Sequence, residues 1–183
     1  MAAIPPVCDF DWLAPDFNLM GVDQKRYNLD SIKGKNGTLI MFICNHCPYV
    51  IHYHGEIVKL SIDYNQKINM VAISSNDIIE YPQDSPERMK ELWNSLNLSF
   101  PYLFDETQQI AKKYKAECTP EFYLFNHQNK LEYRGRMDET SPGSDKLPSG
   151  KDLRMAIDNL LSNQPICKEQ LLSMGCNIKW RAN

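Results

Sequence analysis

The chain has 183 residues, of which 43% are hydrophobic and 23% are charged, and its formal net charge is −3. This length and composition suit one globular domain with its own core, so we expect residues 1–183 to form a single unit. The sequence has no basic stripe and no apolar run near the ~18 residues of a membrane span, which argues against nucleic-acid and membrane partners.

The first residues, MAAIPPVCDFDWL, are rich in proline and contain neither the basic nor the apolar region of a signal peptide. We therefore expect residues 1–13 to form an irregular N-terminal arm and the protein to be cytoplasmic. In that compartment disulfides are transient and catalytic rather than structural. The six cysteines are unevenly spaced, unlike a disulfide framework: Cys8, Cys44, Cys47, Cys118, Cys167 and Cys176.

The first half of the chain predicts strands that alternate with helices. Short runs on either side of Gly21 predict a hairpin, and the apolar runs 39–43 and 70–74 predict buried strands. One helix is expected to begin at Pro48, which suits a first helical position. Another is expected to begin after Ser85, a capping residue.

The second half predicts a short strand at 102–104, a helix at 107–115 and a hairpin formed by 122–125 and 131–134. Residues 135–150 predict a surface loop, and Ser149 is expected to cap a helix that ends near Ser162. Residues 163–183 are expected to form a C-terminal tail with weak helical character. This order of elements predicts an α/β fold with a central mixed sheet flanked by helices.

The strongest motif is a pair of cysteines, Cys44 and Cys47, between a buried strand and a helix that begins at Pro48. A strand that ends in Cys-x-x-Cys and leads into a helix is typical of a thioredoxin-like redox site. The N–H groups at a helix N-terminus stabilise a thiolate, which is the attacking species. His46 would add positive charge, which also favours the thiolate and makes the disulfide more oxidising.

The alternatives for this pair are two buried thiols or half of a zinc site. A four-cysteine zinc site needs a second closely spaced pair, and Cys167 and Cys176, near the C-terminus, are too far apart in sequence to provide it. We expect Cys44 to attack and Cys47 to resolve. However, Pro48 moves Cys47 towards the helix N-cap, where the field of the helix terminus is larger.

A second candidate segment is the run ECTPEFYLF at 117–125. The place of Pro120 before a strand resembles that of a proline which, in thioredoxin-like folds, is cis and lies opposite the cysteines. The resemblance implies a cis Thr119–Pro120 bond and a substrate-binding role for both residues. Cys118 is either a small buried hydrophobe or a third redox or metal-binding cysteine. Glu121 is either a base that assists proton movement or an exposed carboxylate at the end of a strand.

Other polar residues are expected to be peripheral. Arg134 and Arg136 are expected on the surface, His54 packed with its hydrogen bonds satisfied, and His52 and His127 solvated. Cys167 and Cys176 are either free thiols or a distant resolving pair.

Five segments in order resemble the peroxiredoxin-like branch of the thioredoxin superfamily, the alkyl hydroperoxide reductase/thiol-specific antioxidant (AhpC/TSA) or redoxin group. They are APDFNL (14–19), FICNHCPYV (42–50), FPYLFDETQQIAKKY (100–114), ECTPEFYLF (117–125) and YRGRMD (133–138). The tail GCNIKW (175–180) is also similar to this group. The resemblance implies a thioredoxin-like fold and redox chemistry at cysteine.

The sequence departs from this group at the peroxide pocket, where peroxiredoxins carry Pro-x-x-x-Thr/Ser-x-x-Cys. With Cys47 as the reactive cysteine, Ile40 and Cys44 occupy the proline and threonine positions. With Cys44 instead, Gly37 and Met41 occupy them. The acid that thioredoxins bury beneath their cysteines is replaced by Thr38 here, so proton handling must differ.

The leading hypothesis is a thiol–disulfide oxidoreductase in which Cys44 and Cys47 exchange with protein or small-molecule thiols and disulfides. It needs no organic cofactor and no resident metal. One alternative is a thiol peroxidase that acts on hydroperoxides through Cys47. The other is a non-enzymatic copper-binding protein that uses Cys44, Cys47 and His46 or His54. The sequence gives no oligomeric state.

Overall fold

The computed structural model describes residues 2–3, 10 and 12–182. Its elements, in chain order, are β1 (Ala2–Ala3), β2 (Asn18–Gly21), β3 (Arg26–Asn28), α1 (Leu29–Ile32), β4 (Gly37–Phe42), α2 (Pro48–Asp63), β5 (Asn69–Ser74), a 3₁₀ turn (Pro82–Asp84), α3 (Pro86–Ser95), β6 (Tyr102–Phe104), α4 (Gln109–Lys113), β7 (Cys118–Thr119), β8 (Glu121–Asn126), β9 (Leu131–Gly135), α5 (Lys151–Leu161) and β10 (Gly175–Asn177). Most of the predicted arm 1–13, including Cys8, lies outside the described residues.

Seven strands form one mixed sheet in the order β3-β2-β6-β5-β4-β8-β9. Strand β4 lies inside this sheet, parallel to β5 and antiparallel to β8. The predicted hairpins, β2–β3 and β8–β9, are both confirmed. The α/β fold with a central mixed sheet is therefore the one the sequence predicts.

Helices cover both faces of this sheet, which explains why β4 is buried along its whole length. Leu39 and Met41 face the core beneath α2, α3 and α5. Ile40 and Phe42 face the opposite core, which α1 and α4 cover. The chain leaves the end of β4 between these layers, so the cysteines that follow are placed at the edge of the buried sheet. No described helix has the length and hydropathy needed to cross a membrane.

Helix α2 begins at Pro48 as predicted and turns its apolar face to the sheet. The residues predicted on that face are all buried: Val50, Tyr53, Ile57, Leu60 and Tyr64. Helix α4 is shorter than the predicted helix at 107–115. Gln108 and Lys115 on either side of it have positive φ, at 60° and 52°, which is incompatible with a right-handed helix.

The C-terminal tail differs from its prediction. Residues 175–177 form β10, which pairs with β7 and with β1 in a second, three-stranded sheet. Ile178 is buried against the main core. The tail has only a weak local preference for helix, and contacts made in the folded protein decide its conformation. Pairing of β10 and burial of Ile178 stabilise the extended form.

The loop 135–150 is only partly a surface loop, which corrects a second prediction. Met137, Asp138 and Thr140 are buried, because the Asp138 carboxylate accepts hydrogen bonds from several loop donors. Ser149 does not cap α5. The N-cap is Gly150, with φ of 65°, and no side chain caps the helix there.

Candidate active site

The two cysteines of the motif occupy different positions relative to α2. Cys44 lies two residues beyond β4, whereas Cys47 is the N-cap residue of the helix. At the N-cap, Cys47 lies at the positive end of the helix, and the Val50 N–H is among the groups that lower the pKa of Cys47. The two residues are only 1% and 0% exposed, and both belong to the same core cluster.

Thr119 contacts both cysteines. Its Oγ1 atom lies 3.3 Å from the Cys44 Sγ, and its backbone oxygen lies 3.1 Å from the Cys47 Sγ, which donates when protonated. The Thr119–Pro120 bond is cis, as predicted. The segment 119–120 therefore lies directly against the cysteine pair.

The surroundings favour the thiolate on Cys47. Its pKa is lowered by the hydrogen bond with Cys44 and by further hydrogen bonds from Cys176 and the Val50 N–H, which together outweigh burial. The pKa of Cys44 is raised by the hydrogen bond with Cys47, then by burial and by the negative charge of Asp84. This arrangement favours Cys47 as the nucleophile, whereas the sequence led us to expect Cys44.

Cys176 brings a third sulfur to this site. Strand β10 pairs with β7 so that Cys176 lies opposite Thr119. Cys176 packs against the core cluster that contains Cys44 and Cys47, and it is among the groups that lower the pKa of Cys47. The sequence left Cys176 as a free thiol or half of a distant pair with Cys167, but Cys167 is exposed in the tail and Cys176 contacts Cys47.

His46 lies beside the Cys44 sulfur and is held there by a buried carboxylate. Its Nδ1 atom lies 2.6 Å from an oxygen of Asp84, and its ring stacks on Tyr81 at 5.4 Å between centroids. Asp84 also accepts hydrogen bonds from the Asn45 N–H and the Asn76 side chain, both at 2.8 Å. The residues between the two cysteines are thus held by Asp84.

The Cys44 Sγ, a His46 ring nitrogen and an Asp84 oxygen lie within 4.8 Å of one another. Thiolate and imidazole are ligands for copper or zinc, so the set has suitable donor chemistry. However, the His46 nitrogen facing Asp84 already shares a short contact with it. His54, the other histidine predicted as a ligand, is outside this group, so copper binding through these residues stays a prediction.

Glu121 is not an exposed carboxylate. It is 0% exposed, and its Oε1 atom accepts hydrogen bonds from Arg134 at 2.7 Å and from the Tyr123 hydroxyl at 2.8 Å. Its Oε2 atom accepts the Glu117 N–H. Arg134, expected on the surface, is 4% exposed. Because both oxygens of Glu121 are engaged in this cluster, the structure argues against its use as a base for the cysteines.

The remaining candidates are peripheral to the chemistry. Cys118 is 0% exposed, and burial, with the nearby charge of Glu121, raises its pKa, which opposes thiolate formation. His52, predicted to be solvated, is partly exposed, and its Nε2 atom also lies 2.8 Å from the Thr140 hydroxyl. The buried Nε2 of His54 has no partner within the described part of the chain, contrary to the prediction that its hydrogen bonds are satisfied.

Sequence reasoning missed Asp84 and the position of Cys176. Asp84 lies in an irregular polar stretch, where nothing in the local pattern distinguishes it from a solvated acid. Cys176 carried a weak signal, because the segment GCNIKW around it is similar to the redoxin group.

Comparison with known proteins gives the family. Residues 11–149 match the Redoxin family. An uncharacterized conserved protein from Geobacillus kaustophilus is 43% identical with a TM-score of 0.97, over 100% of this chain and 98% of that one. A hypothetical protein from Sinorhizobium meliloti is 35% identical with a TM-score of 0.95, over 98% and 99%.

A more distant structure, the pneumococcal exposed lipoprotein thioredoxin from Streptococcus pneumoniae, is 19% identical with a TM-score of 0.60, over 79% of this chain and 99% of that one. This likeness confirms the predicted thioredoxin-like fold. No curated protein matches the sequence significantly. With a match over most of its length, the chain belongs to the Redoxin family of thioredoxin-like redox proteins.

Proposed function

We propose that this protein is a thiol–disulfide oxidoreductase whose redox couple is Cys44–Cys47. The observation that carries the proposal is the buried cysteine pair at the N-terminus of α2, with Cys47 at the N-cap and both sulfurs in contact with Thr119. Protein or small-molecule thiols and disulfides are the partners that this chemistry fits.

In the reducing direction, the Cys47 thiolate attacks a partner disulfide. A Cys47–partner bond forms, the partner disulfide breaks, and the first partner sulfur leaves as a thiolate and takes a proton. Cys44 then loses its proton and attacks the Cys47 Sγ, which releases the second partner sulfur. Cys44–Cys47 is now a disulfide, and the partner has gained two electrons and two protons. The reverse sequence oxidises a partner dithiol.

The environment of Cys44 fits its role as the second nucleophile. Its hydrogen bond with Cys47, burial and the charge of Asp84 keep it protonated, while the Thr119 hydroxyl favours the thiolate. When Cys47 is bound to a partner, its negative charge is gone, and this lowers the pKa of Cys44. Deprotonation of Cys44 is therefore promoted at the step that needs it.

The test is equilibration of the protein with glutathione redox buffers, followed by acid trapping, alkylation and peptide mass spectrometry. We expect one reversible two-electron couple between about −270 and −120 mV, the range of known dithiol oxidoreductases. Cys167→Ser is the matched control and should have the same potential, because Cys167 is exposed and outside the site. Absence of a Cys44–Cys47 disulfide under all buffers would overturn the proposal.

A second candidate is thiol peroxidase activity, which the stabilised thiolate at Cys47 favours. Hydroperoxide would oxidise Cys47 to a sulfenic acid with release of the alcohol or water, and Cys44 would condense with it, releasing water. Ile40 and Cys44 replace the residues of the peroxide pocket, so we expect slow oxidation. Rapid, saturating formation of Cys47 sulfenic acid in Cys44→Ala, which does not restore the pocket hydroxyl, would instead make peroxidase the main activity.

A further inference from the structure

Thiol–disulfide exchange requires contact between sulfurs, yet both members of the proposed couple are buried. Cys44 is 1% exposed and Cys47 is 0% exposed. Cys176 is partly exposed, and it packs against the core cluster that contains both Cys44 and Cys47. Cys176 is therefore a partly exposed thiol beside the buried couple.

The pairing of β10 fixes Cys176 in this position. Cys176 lies opposite Thr119 on β7, and the Thr119 oxygen is 3.1 Å from the Cys47 Sγ. Gly175 permits this close approach. A Cβ atom at position 175 would lie 2.2 Å from the Thr119 oxygen, so a larger residue would push the strand away.

The chain beyond Cys176 is anchored as well. The Ile178 N–H donates to the Glu117 oxygen at 3.1 Å, and the Ile178 side chain is 1% exposed. The Lys179 N–H donates to Asn76, and the Arg181 N–H donates to Gln108, both at 2.9 Å. Cys176 is thus held against Cys47 rather than brought there by a swinging tail, which gives it a high effective concentration.

We propose that Cys176 is a third redox-active cysteine, through which the buried Cys44–Cys47 couple exchanges its disulfide with low-molecular-weight thiols. The proposal deepens the oxidoreductase function above and rests on it. It assigns Cys176 as the entry and exit point for that couple.

The first step is an exchange within the chain that needs no oxidant or reductant. The Cys176 thiolate attacks Cys47 in the Cys44–Cys47 disulfide, the Cys47–Cys176 bond forms, and Cys44 leaves as a thiolate. The proton lost by Cys176 is taken up by Cys44, so the chain holds one disulfide before and after. Formation of the disulfide at Cys47 removes a thiolate whose charge otherwise raises the pKa of Cys176.

The second step passes the disulfide outwards. A small thiolate attacks the Cys176 Sγ, a mixed disulfide forms there, and Cys47 leaves as a thiolate. Lower leaving-group pKa speeds exchange, and Cys47 is the sulfur whose thiolate the site stabilises most. A second small thiol then releases Cys176 as a thiol and leaves as a small-molecule disulfide, which closes the electron balance.

The first experiment traps the new bond. In all variants Cys8 is replaced by serine, because it lies outside the described residues. After Cys44→Ser is treated with oxidised glutathione, we expect an intramolecular Cys47–Cys176 disulfide in peptide maps. Cys44→Ala is tested in parallel, because a serine hydroxyl can disturb the apolar surroundings of position 44. Cys44→Ser/Cys176→Ser should form no intramolecular disulfide and should take up glutathione on Cys47 more slowly, because the exchange point is missing. A stable glutathione adduct, or no reaction, in both Cys44→Ser and Cys44→Ala would overturn the proposal.

The second experiment follows reduction of the oxidised protein by glutathione under stopped flow. Loss of the held thiol should slow reduction of Cys44–Cys47 in Cys176→Ser by about tenfold or more. Cys167→Ser, which removes the exposed tail cysteine, should match the parent. An equal or faster rate in Cys176→Ser would show that Cys176 is not the exchange point.

These experiments separate this proposal from the oxidoreductase function. If Cys176→Ser still forms Cys44–Cys47 but Cys44→Ser forms no Cys47–Cys176 bond, the role of Cys176 is overturned alone. If no Cys44–Cys47 disulfide forms in Cys176→Ser or in the parent, the Cys44–Cys47 couple itself is overturned. The proposed transfer of its disulfide to Cys176 is then overturned as well.

Discussion

The Nδ1 atom of His46 lies 2.6 Å from the Oδ2 atom of Asp84, a carboxylate with no solvent exposure. We expected His46 to act on the sulfurs by its own charge. The structure instead gives it a partner whose negative charge acts in the opposite direction, because Asp84 raises the pKa of Cys44. The charge of Asp84 therefore adds to the hydrogen bond with Cys47 and to burial in raising the pKa of Cys44.

Replacing Asp84 tests this relationship directly. We expect Asp84→Asn to lower the pKa of Cys44, because the like charge that disfavours its thiolate is removed. The measurement is the pH dependence of Cys44 alkylation by iodoacetamide in a Cys47→Ser background, where the coupling between the two thiols is absent. The rate near neutral pH should rise several-fold.

Glu87→Gln is the control for Asp84→Asn. Glu87 is a nearby carboxylate in the first turn of α3, and it is not among the groups that affect Cys44. Its removal should leave the alkylation profile unchanged. An unchanged or higher pKa of Cys44 in Asp84→Asn would contradict the assignment.

The buried pair Glu121–Arg134 gives a second prediction, which concerns stability rather than chemistry. Glu121→Gln removes the carboxylate charge from a guanidinium that is 4% exposed. Breaking a buried ion pair at one partner costs about 3–5 kcal/mol, and we expect a loss of this size in the free energy of unfolding by urea. The control Glu117→Gln removes an exposed carboxylate nearby and should change stability by less than about 0.5 kcal/mol.

The same variant tests the hypothesis that Glu121 is a base. Under conditions where Glu121→Gln stays folded, the alkylation rates of Cys44 and Cys47 should equal those of the parent, because both Glu121 oxygens are engaged elsewhere. A clear fall in the Cys44 rate at constant stability would restore Glu121 as a proton-handling residue.

Local patterns in the sequence predicted the frame of the site. The apolar run before Cys44 and the proline after Cys47 are sufficient to define a strand, a turn and a helix start, because each depends on neighbouring residues alone. The cis bond at Pro120 was predicted from its place in the order of elements. These features locate two cysteines and one proline.

The chemistry within that frame depended on contacts between residues far apart in the chain. Asp84 meets His46 across 38 positions of sequence. Cys176 reaches Cys47 only because β10 pairs with β7. Neither contact has a periodicity or spacing to reveal it. The sequence predicted a surface position for Arg134, and for Glu121 either an exposed carboxylate or a base, because single charged residues are rarely fully buried. Their pairing across β8 and β9 offsets the cost of burying both charges.

Gly175 supplies a third prediction, on how β10 controls access to Cys47. A Cβ atom in Gly175→Ala would lie 2.2 Å from the Thr119 oxygen, so we expect β10 to shift away from β7. The yield of the Cys47–Cys176 bond in the Cys44→Ser background should fall about tenfold or more, because orientation is lost. Alkylation of Cys47 by a bulky maleimide should become faster as its cover is displaced.

The matched control is Gly55→Ala, on the exposed side of α2, where an added Cβ meets no atom within 4 Å. It should leave both readouts unchanged and increase stability by up to about 1 kcal/mol, because alanine favours a helix interior more than glycine does. Equal cross-link yields in Gly175→Ala and Gly55→Ala would mean that contact between the two cysteines does not depend on β10 pairing.

Asp138 gives the last prediction, because it organises the loop 135–150. Its Oδ1 atom accepts the N–H and hydroxyl of Thr140, and its Oδ2 atom accepts the N–H groups of Ser149 and Gly150, all at 2.6–2.8 Å. An asparagine retains only one acceptor oxygen. Asp138→Asn therefore turns an NH₂ group towards one set of donors, and we expect a loss of about 2 kcal/mol or more in stability at pH 7.

The pH dependence gives this prediction its sign. Burial alone would raise the pKa of Asp138, but the hydrogen bonds from Thr140, Gly150 and Ser149 lower it to about 2. A carboxyl whose pKa is lowered by folding contributes stability that is present above its unfolded pKa, near 4, and is lost as pH falls towards 2. We therefore expect urea unfolding to show the largest difference in free energy of unfolding between the parent and Asp138→Asn at pH 7. This difference should become smaller as the pH falls below 4. The control is Asp145→Asn, at an exposed acid of the same loop, which should have the same free energy of unfolding as the parent at pH 7 and below pH 4. If the difference in free energy of unfolding between the parent and Asp138→Asn instead grew on acidification, the role of the ionised Asp138 carboxylate would be contradicted.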